Sequence, residues 1–544
     1  MPEEYDYVIV GSGAAGAPLA ARLSEDPHRS VLLLEAGPPD RMPSIHIPAL
    51  FPGLFRSRVD WADFTEPQPG LGGRRVFWPH GRTLGGSTSI NAMMWVRGFA
   101  ADYDEWARAA GPAWSYDAVL PVLRRIEDVE EARTEQGRTD LGRGGPMSVS
   151  ALREPDPAAL AFLEACEQAG VPRTTAPNGP APEGVCLTPV TQLDGRRWST
   201  ADGYLRPAQH RPNLTVRTEA VARTIVFTGR RATGVDYLSE GRVTRVAARE
   251  EIVLCAGAVD SPRLLMLSGV GPADALRRHG IPVVADAPEV GRNLRDHLLA
   301  VLVVGSNGSG RPPLQSAEAL ALYRADRRGP LSSNLGEAFG FVRSDPALEL
   351  PDLELFFATA PFLNEGLTRT PDNGLTLGVV LLKPGSVGTV ALAGPEPERR
   401  PLIDPGYLSR PGDGAALEAG LGLCERILAA PALAGFAGAP MQPAMPAGPG
   451  RRAAAVGSAQ SLYHPVGTCR MGADECAVVD PELRVRGVEG LRVADASVMP
   501  AIIRGHTQAP SIVIGERAAS LIRRDDRAGA PSRAVPAGAV SAES

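Results

Sequence analysis

The 544-residue chain is longer than a single hydrophobic core supports, so two or more domains are expected. Its apolar content of 44% and charged content of 22% are those of an ordinary globular protein, and a net charge of −6 gives no electrostatic footing for nucleic acid. No apolar run approaches the roughly 18 residues that a membrane helix needs, so no membrane span is predicted.

The chain enters its first strand within a few residues, which leaves no room for a secretory signal peptide and predicts a cytoplasmic protein. The six cysteines are scattered without a CxxC pair and read as free thiols; the Cys469 to Cys476 spacing does not suit a metal. Residues 5–37 carry the strongest local signal. An apolar run from Tyr5 to Val10 reads as a buried strand and ends in Gly11-Ser12-Gly13-Ala14-Ala15-Gly16; a helical pattern through Leu19, Ala20 and Leu23 follows, then a second strand from Val31 to Leu34 and Glu35. This is the βαβ fingerprint for a dinucleotide. Gly11 makes the tight turn, Gly13 lets backbone approach the pyrophosphate, Gly16 lets helix pack on strand, and Glu35 accepts from a ribose diol. The fingerprint leaves NAD and FAD both open.

Residues 38–80, rich in Pro and aromatics, read as an extended excursion. His80 to Asn91 is a glycine- and hydroxyl-rich loop, expected to run into an apolar helix over AMMWV, with Ser87 or Thr88 as a possible helix cap. Helices are predicted within 103–130 and over 156–170, and a mobile, polar, Gly-rich loop over 131–150. Residues 213–227 alternate as a strand pair. Ile252 to Cys255 repeats the strand–glycine–helix arrangement, with a helix starting near Ser261-Pro262. From about 298 the pattern changes to alternating strands at Leu353–Phe357, Leu375–Leu382 and Thr389–Leu392, with helices near 315–325 and 414–430. The last segment, 461–522, returns to short apolar strands and a helix, and residues from 524 on read as a disordered tail.

Several of these stretches together resemble the glucose–methanol–choline family of FAD-dependent oxidoreductases, within it the choline-dehydrogenase-like alcohol oxidoreductases. They are the N-terminal fingerprint, GRTLGGSTSINAMMWVRGFAADYDEW (81–106), CAGAVDSPRLLMLSGVGP (255–272), VGRNLRDH (290–297), YHPVGTCRMG (463–472) and VDPELRVRGVEGLRVADASVMP (479–500). The resemblance runs from residue 5 to about 523. It implies a Rossmann-like FAD-binding domain (1–155, 211–297 and 461–523) interleaved with a substrate domain built on an antiparallel sheet (156–210 and 298–460), an α/β plus α+β architecture.

It also implies the chemistry: FAD-dependent oxidation of an alcohol to aldehyde or ketone, with oxygen or another carrier as electron acceptor. The catalytic base falls on His464 and its partner on His506, a pair whose titrations would be coupled. The cofactor-binding positions are Gly11, Gly13, Gly16, Glu35, Arg82, Gly85, Gly86, Ser87, Asn91, Val221, Asp495, Ala496, Thr507 and Gln508, with Thr507 to Pro510 opening the last helix toward the flavin. Where some relatives carry a histidine that bonds covalently to FAD, this chain has Ile90, which predicts a non-covalent cofactor. Candidate substrate-wall residues are Met93, Trp95, Glu337, Phe339, Phe357 and Tyr463. An apolar wall favours an aliphatic or aromatic alcohol, whereas Glu337 would attract a cationic one. The rival readings are a non-redox lyase of the hydroxynitrile-lyase kind on the same fold and a flavin-binding protein without turnover.

Overall fold

The computed structural model describes residues 3–133, 140–179, 182–368, 373–441 and 450–529. Strand β1 (Glu3–Val10) lies between β2 (Val31–Leu34) and the distant β6 (Arg242–Leu254), parallel to both; β3 (Leu214–Arg217) extends the parallel array beyond β2. Its core residues Val8, Ile9, Leu32 and Leu33 have no solvent exposure. That explains their near-continuous apolar sequence, because helices cover both faces of such a sheet. On the other side β5 (Arg231–Ser239) pairs antiparallel with β6, and β4 (Val221–Thr228) pairs antiparallel with β5 at the edge. The two strands read at 213–227 both form, but in separate parts of the sheet.

Helix α1 (Gly16–Leu23) follows the glycine turn. Helices α2 (Ala100–Ala110), α3 (Tyr116–Ile126) and α4 (Pro157–Gln168) match the helical stretches expected there. The run 92–99 departs from expectation: it is extended rather than helical. Met93 sits at φ 59°, Met94 bridges Val190 and the Trp95 N–H donates to Pro189 O, so this segment is tied to a neighbouring strand before Phe99 opens α2. Of the loop 131–150, residues 134–139 lie outside the described residues, and Met147–Val149 forms a short strand on Glu127–Val129.

Helix α5 (Gly257–Leu267) begins four residues before Ser261, so Pro262 lies inside it. Proline there removes an N–H and frees the carbonyl four residues earlier. That carbonyl, on Ala258, accepts the Thr468 hydroxyl at 2.6 Å instead.

The second sheet is antiparallel, in the order β8 (Ala338–Val342), β9 (Leu353–Ala358), β10 (Gly374–Leu381), β7 (Leu298–Ser306) and β11 (Ala437–Pro440), with the two-residue β12 (Gln460–Ser461) also on β7. Helix α6 (Ala317–Asp326) lies in sequence between β7 and β8. Helix α7 (Pro411–Leu428) joins α4 in packing on the sheet face that carries Leu353, Leu355 and Phe357. The expected strand at 389–392 forms as Thr389–Ala391 but pairs with Leu402–Asp404 in a separate ribbon. The chain then returns to the first sheet: β13 (Leu491–Val493) adds parallel to β6, and α8 (Gln508–Gly529) packs on α1, close enough that a Cβ at Gly515 would lie 2.2 Å from Ala15 O. The helix thus continues past 523, and residues 530–544 of the expected tail lie outside the described residues.

Candidate functional site

The glycine turn behaves as its chemistry requires. Gly11 sits at φ 101°, and a Cβ there would lie 2.4 Å from Cys255 O; one at Gly16 would lie 1.9 Å from Gly11 O. A Cβ on Gly13 would find its nearest neighbour, Gly86 Cα, at 3.9 Å, while a Cβ on Gly86 would meet Gly13 Cα at 2.7 Å. Two bare backbones thus meet at a cleft lined by Gly11, Gly13, Glu35, Gly86, Ser87 and Val221 and, from the C-terminal segment, by Tyr463, Asp495, Ala496 and Thr507.

Glu35 is buried, and burial raises its carboxyl above the usual range against the pull of its hydrogen bonds. It accepts from Ser12 N–H at 3.0 Å, Ser12 Oγ–H at 2.6 Å and Gly37 N–H at 2.9 Å. A carboxylate has about four lone-pair positions, so a ribose hydroxyl still finds one. Asp495 accepts from Gly257 N–H, Ser261 Oγ–H and Ser497 N–H, fixing both the α5 turn and its own loop at the cleft wall.

Arg82, Gly85, Gly16, Asn91 and Gln508 stand behind this lining. The Arg82 guanidinium lies 5.1 Å from the Trp61 ring centroid with Nε buried and unpartnered. Gly85, at φ 85°, turns the chain into the Gly86–Ser89 helical turn, which has no side-chain cap. The Asn91 amide donates to Gln508 Oε1 at 2.6 Å and leaves Gln508 Nε2 buried without a partner. A bare glycine cradle, a carboxylate acceptor at the end of the second strand, a helix start and two buried N–H groups unpartnered among the described residues are the donors and acceptor that a flavin dinucleotide needs, so these residues fit FAD.

Beside the cleft stand three imidazoles. Segment 462–466 runs along 295–297: Val466 and Arg295 exchange backbone hydrogen bonds, and Leu462 N–H donates to His297 O. Asp296 holds the same segment, accepting from His464 N–H at 2.8 Å, Ser461 Oγ–H at 2.5 Å and the Tyr407 hydroxyl. Tyr463, at φ 65°, is in the left-handed region that a bulky residue rarely adopts, and it presents the next side chain, His464, at the turn. His464 Nδ1 lies 2.9 Å from Nδ1 of His297. His506 stands on the other side, ring centroids 4.9 Å apart, with its Nε2 3.0 Å from Glu354 Oε1 on β9.

His464 is half-buried, whereas His297 and His506 are buried. Burial holds His464 well below the ordinary histidine range, and the neighbouring His506 and His297 push the same way. Burial likewise takes His297 down to about 3 and lifts Asp296 to about 6. Burial thus disfavours a charged His464, and its Nε2 is free of any partner among the described residues.

Tyr463 lines the cleft; the paired His464 and His506 stand next in sequence to its lining residues Tyr463, Pro465 and Thr507, with Phe339 against His506, its ring 6.5 Å away. The other expected wall residues lie elsewhere. Phe357 faces away from the imidazoles and stacks on Phe162 of α4 at 4.6 Å; strand alternation puts Phe356 on the side of Glu354 instead. Glu337 accepts from Asp156 N–H and Ser333 Oγ–H at 2.5 Å each and lies 3.5 Å from Arg311. The Trp95 indole donates to Glu127, and Met93 packs with Leu152 and Val190. Sequence reasoning missed His297, Asp296 and Glu354. The first two close the VGRNLRDH motif, which was a signal without an assigned role.

Two family models, both described as GMC oxidoreductase, match residues 5–299 and 384–515. An uncharacterized GMC-type oxidoreductase of Mycobacterium tuberculosis is 52% identical over 96% of this chain and all of that protein. An alcohol dehydrogenase [acceptor] of Pseudomonas putida is 41% identical over 96% of each, and the mitochondrial choline dehydrogenase of Homo sapiens 40% identical over 96% of this chain and 90% of its own. Among solved structures, pyridoxine 4-oxidase from Mesorbium loti superposes with a TM-score of 0.86 at 34% identity, covering 96% of this chain and 99% of that one. Formate oxidase superposes with a TM-score of 0.90 at 28% identity, covering 97% and 99%.

Proposed function

The chain belongs to the GMC oxidoreductase family, and from that premise we propose that it oxidises an apolar alcohol with His464 as the base. It is an FAD-dependent enzyme acting on CH–OH groups. Bound FAD supplies the hydride acceptor. The protein's part is to hold the substrate oxygen and receive its proton. The observation that carries the reading is the half-buried His464 between the cleft-lining Tyr463 and Pro465, with Nε2 unpartnered among the described residues and burial disfavouring its charged form. Such a nitrogen takes the hydroxyl proton as the carbon-bound hydrogen leaves with its electron pair. His506, oriented through Glu354, completes the pocket for the substrate oxygen.

The sheet face that carries Glu354 also carries Leu299, Val301, Val303, Phe356 and Val380, an apolar cluster that Leu462 joins. This supports an aliphatic or aromatic alcohol over a sugar. Glu337, already committed to Asp156 and Ser333, does not support a cationic substrate. The electrons then pass to oxygen or another carrier.

The test is His464→Ala under anaerobic conditions across an alcohol panel. Flavin bleaching by alcohol should slow by about 10²- to 10⁴-fold while FAD stays bound. Reduction at nearly the normal rate would refute the assignment. A wild-type flavin that no alcohol bleaches would favour a lyase.

A further inference from the structure

We propose that His297 is a positioning residue that fixes the tautomer of His464, so that His464 meets the substrate with a bare Nε2. This rests on the reading of His464 as the base. The argument runs from what carbonyls can do. His297 Nε2 lies 3.0 Å from Leu382 O and 3.0 Å from Ile503 O. Both oxygens only accept, so Nε2 carries the proton. His297 has no solvent exposure, and among the described residues no carboxylate hydrogen-bonds its ring, so the ring is neutral and its Nδ1 holds a lone pair. His464 Nδ1, 2.9 Å away, must then be the donor.

A neutral imidazole has one N–H. With that hydrogen on Nδ1, the lone pair of His464 sits on Nε2. Two backbone carbonyls thereby set the state of a nitrogen two rings away. In the reaction the substrate O–H bond breaks and its proton forms an N–H bond at His464 Nε2. The Nδ1–H of His464 stays on His297, which keeps its own proton because Nε2 is anchored twice and Nδ1 is occupied. No proton passes further along the pair. Asp296 assists at the backbone by accepting His464 N–H. The adjacent residues 296 and 297 thus hold His464 by main chain and by ring.

Remove the acceptor and His464 is free to place its hydrogen on Nε2, where a base needs a lone pair. Two variants separate that loss from lost packing. His297→Asn puts an amide oxygen near the place of Nδ1 and keeps an acceptor; His297→Leu keeps bulk and removes it. Anaerobic flavin reduction should slow by about 10- to 100-fold in His297→Leu, with FAD content and apparent substrate affinity kept, and stay within about threefold of wild type in His297→Asn. The proposal is overturned if His297→Leu matches wild type, or if His297→Asn is as slow as His297→Leu.

The second readout needs no turnover and no variant at 297. In the wild-type holoenzyme carrying ¹⁵N-histidine, the His464 signals, assigned by their loss in His464→Gln, should show a protonated Nδ1 and a bare Nε2. A protonated Nε2 in the resting enzyme overturns the proposal even if the 297 variants fail to fold. A normal rate in His464→Ala would instead sink the base reading and leave the tautomer to the nitrogen spectrum.

Discussion

Ile90 shows how one side chain decides a cofactor's attachment. It lies in an apolar cluster with Ile45, Leu54 and Val59 and offers no nucleophile where the resemblance puts a linking histidine in some relatives. Acid denaturation should release all of the flavin, and the intact mass of the polypeptide should equal that of the bare chain; a mass higher by one FAD would refute this. At the same scale, His464 and His506 were legible because each sits inside a motif whose spacing survives on paper. His297 was not. Its partner is 167 residues away, and only the antiparallel run of 462–466 along 295–297 joins them. Glu354 was hidden for a related reason. A lone acid in an apolar strand becomes meaningful only once His506 is seen beside it.

Elements were legible where one period dominates and misread where a neighbour overrides it. The apolar run after Asn91 has helix-compatible residues, yet pairing of Met94 and Trp95 with the strand around Val190 draws it out straight. Strand 353–358 was placed correctly, but which parity faces the imidazoles depends on packing that the sequence does not state; α4 takes Phe357 and leaves Phe356 to the site. The start of α5 was set too late because Ser-Pro reads as a helix start. The helix passes through Pro262 since Thr468 satisfies the Ala258 carbonyl that proline abandons. That gives a prediction at this scale. Thr468→Val keeps the shape and leaves a buried carbonyl unpaired, so urea unfolding should report a loss of about 1–3 kcal/mol. A change under about 0.5 kcal/mol would mean that α5 does not need this bond.

At the scale of the molecule, the site exists because segments far apart in the sequence converge on it. His297 stands just before β7; Glu354 belongs to the second sheet; His464 and His506 arrive with the C-terminal segment. Closing the fold therefore buries several titratable groups at once, and stability must depend on pH with a sign that can be worked out. His297 falls from 6.5 to about 3 on folding, mainly through burial, and His464 is lowered in the same direction. A lowered histidine contributes stability above 6.5 that is lost as pH falls toward the folded value, because the unfolded chain takes up a proton the fold refuses. Asp296 goes the other way, from 3.8 to about 6 through burial, so it contributes fully below 3.8 and loses its contribution as pH rises through 6. At pH 5 the unfolded chain holds two extra protons on the histidines and the fold holds one on Asp296. The net of one makes stability rise with pH by about 1.4 kcal/mol per unit from these groups. His297→Asn removes one histidine and leaves the remaining two terms nearly cancelled. Urea unfolding of both proteins with saturating FAD, from pH 6 down to pH 4.5, should show wild type losing about 1.4 kcal/mol per pH unit more than the variant. Parallel curves would mean that His297 accepts a proton inside the fold, and its Nδ1 would then donate to His464 Nδ1 rather than accept from it.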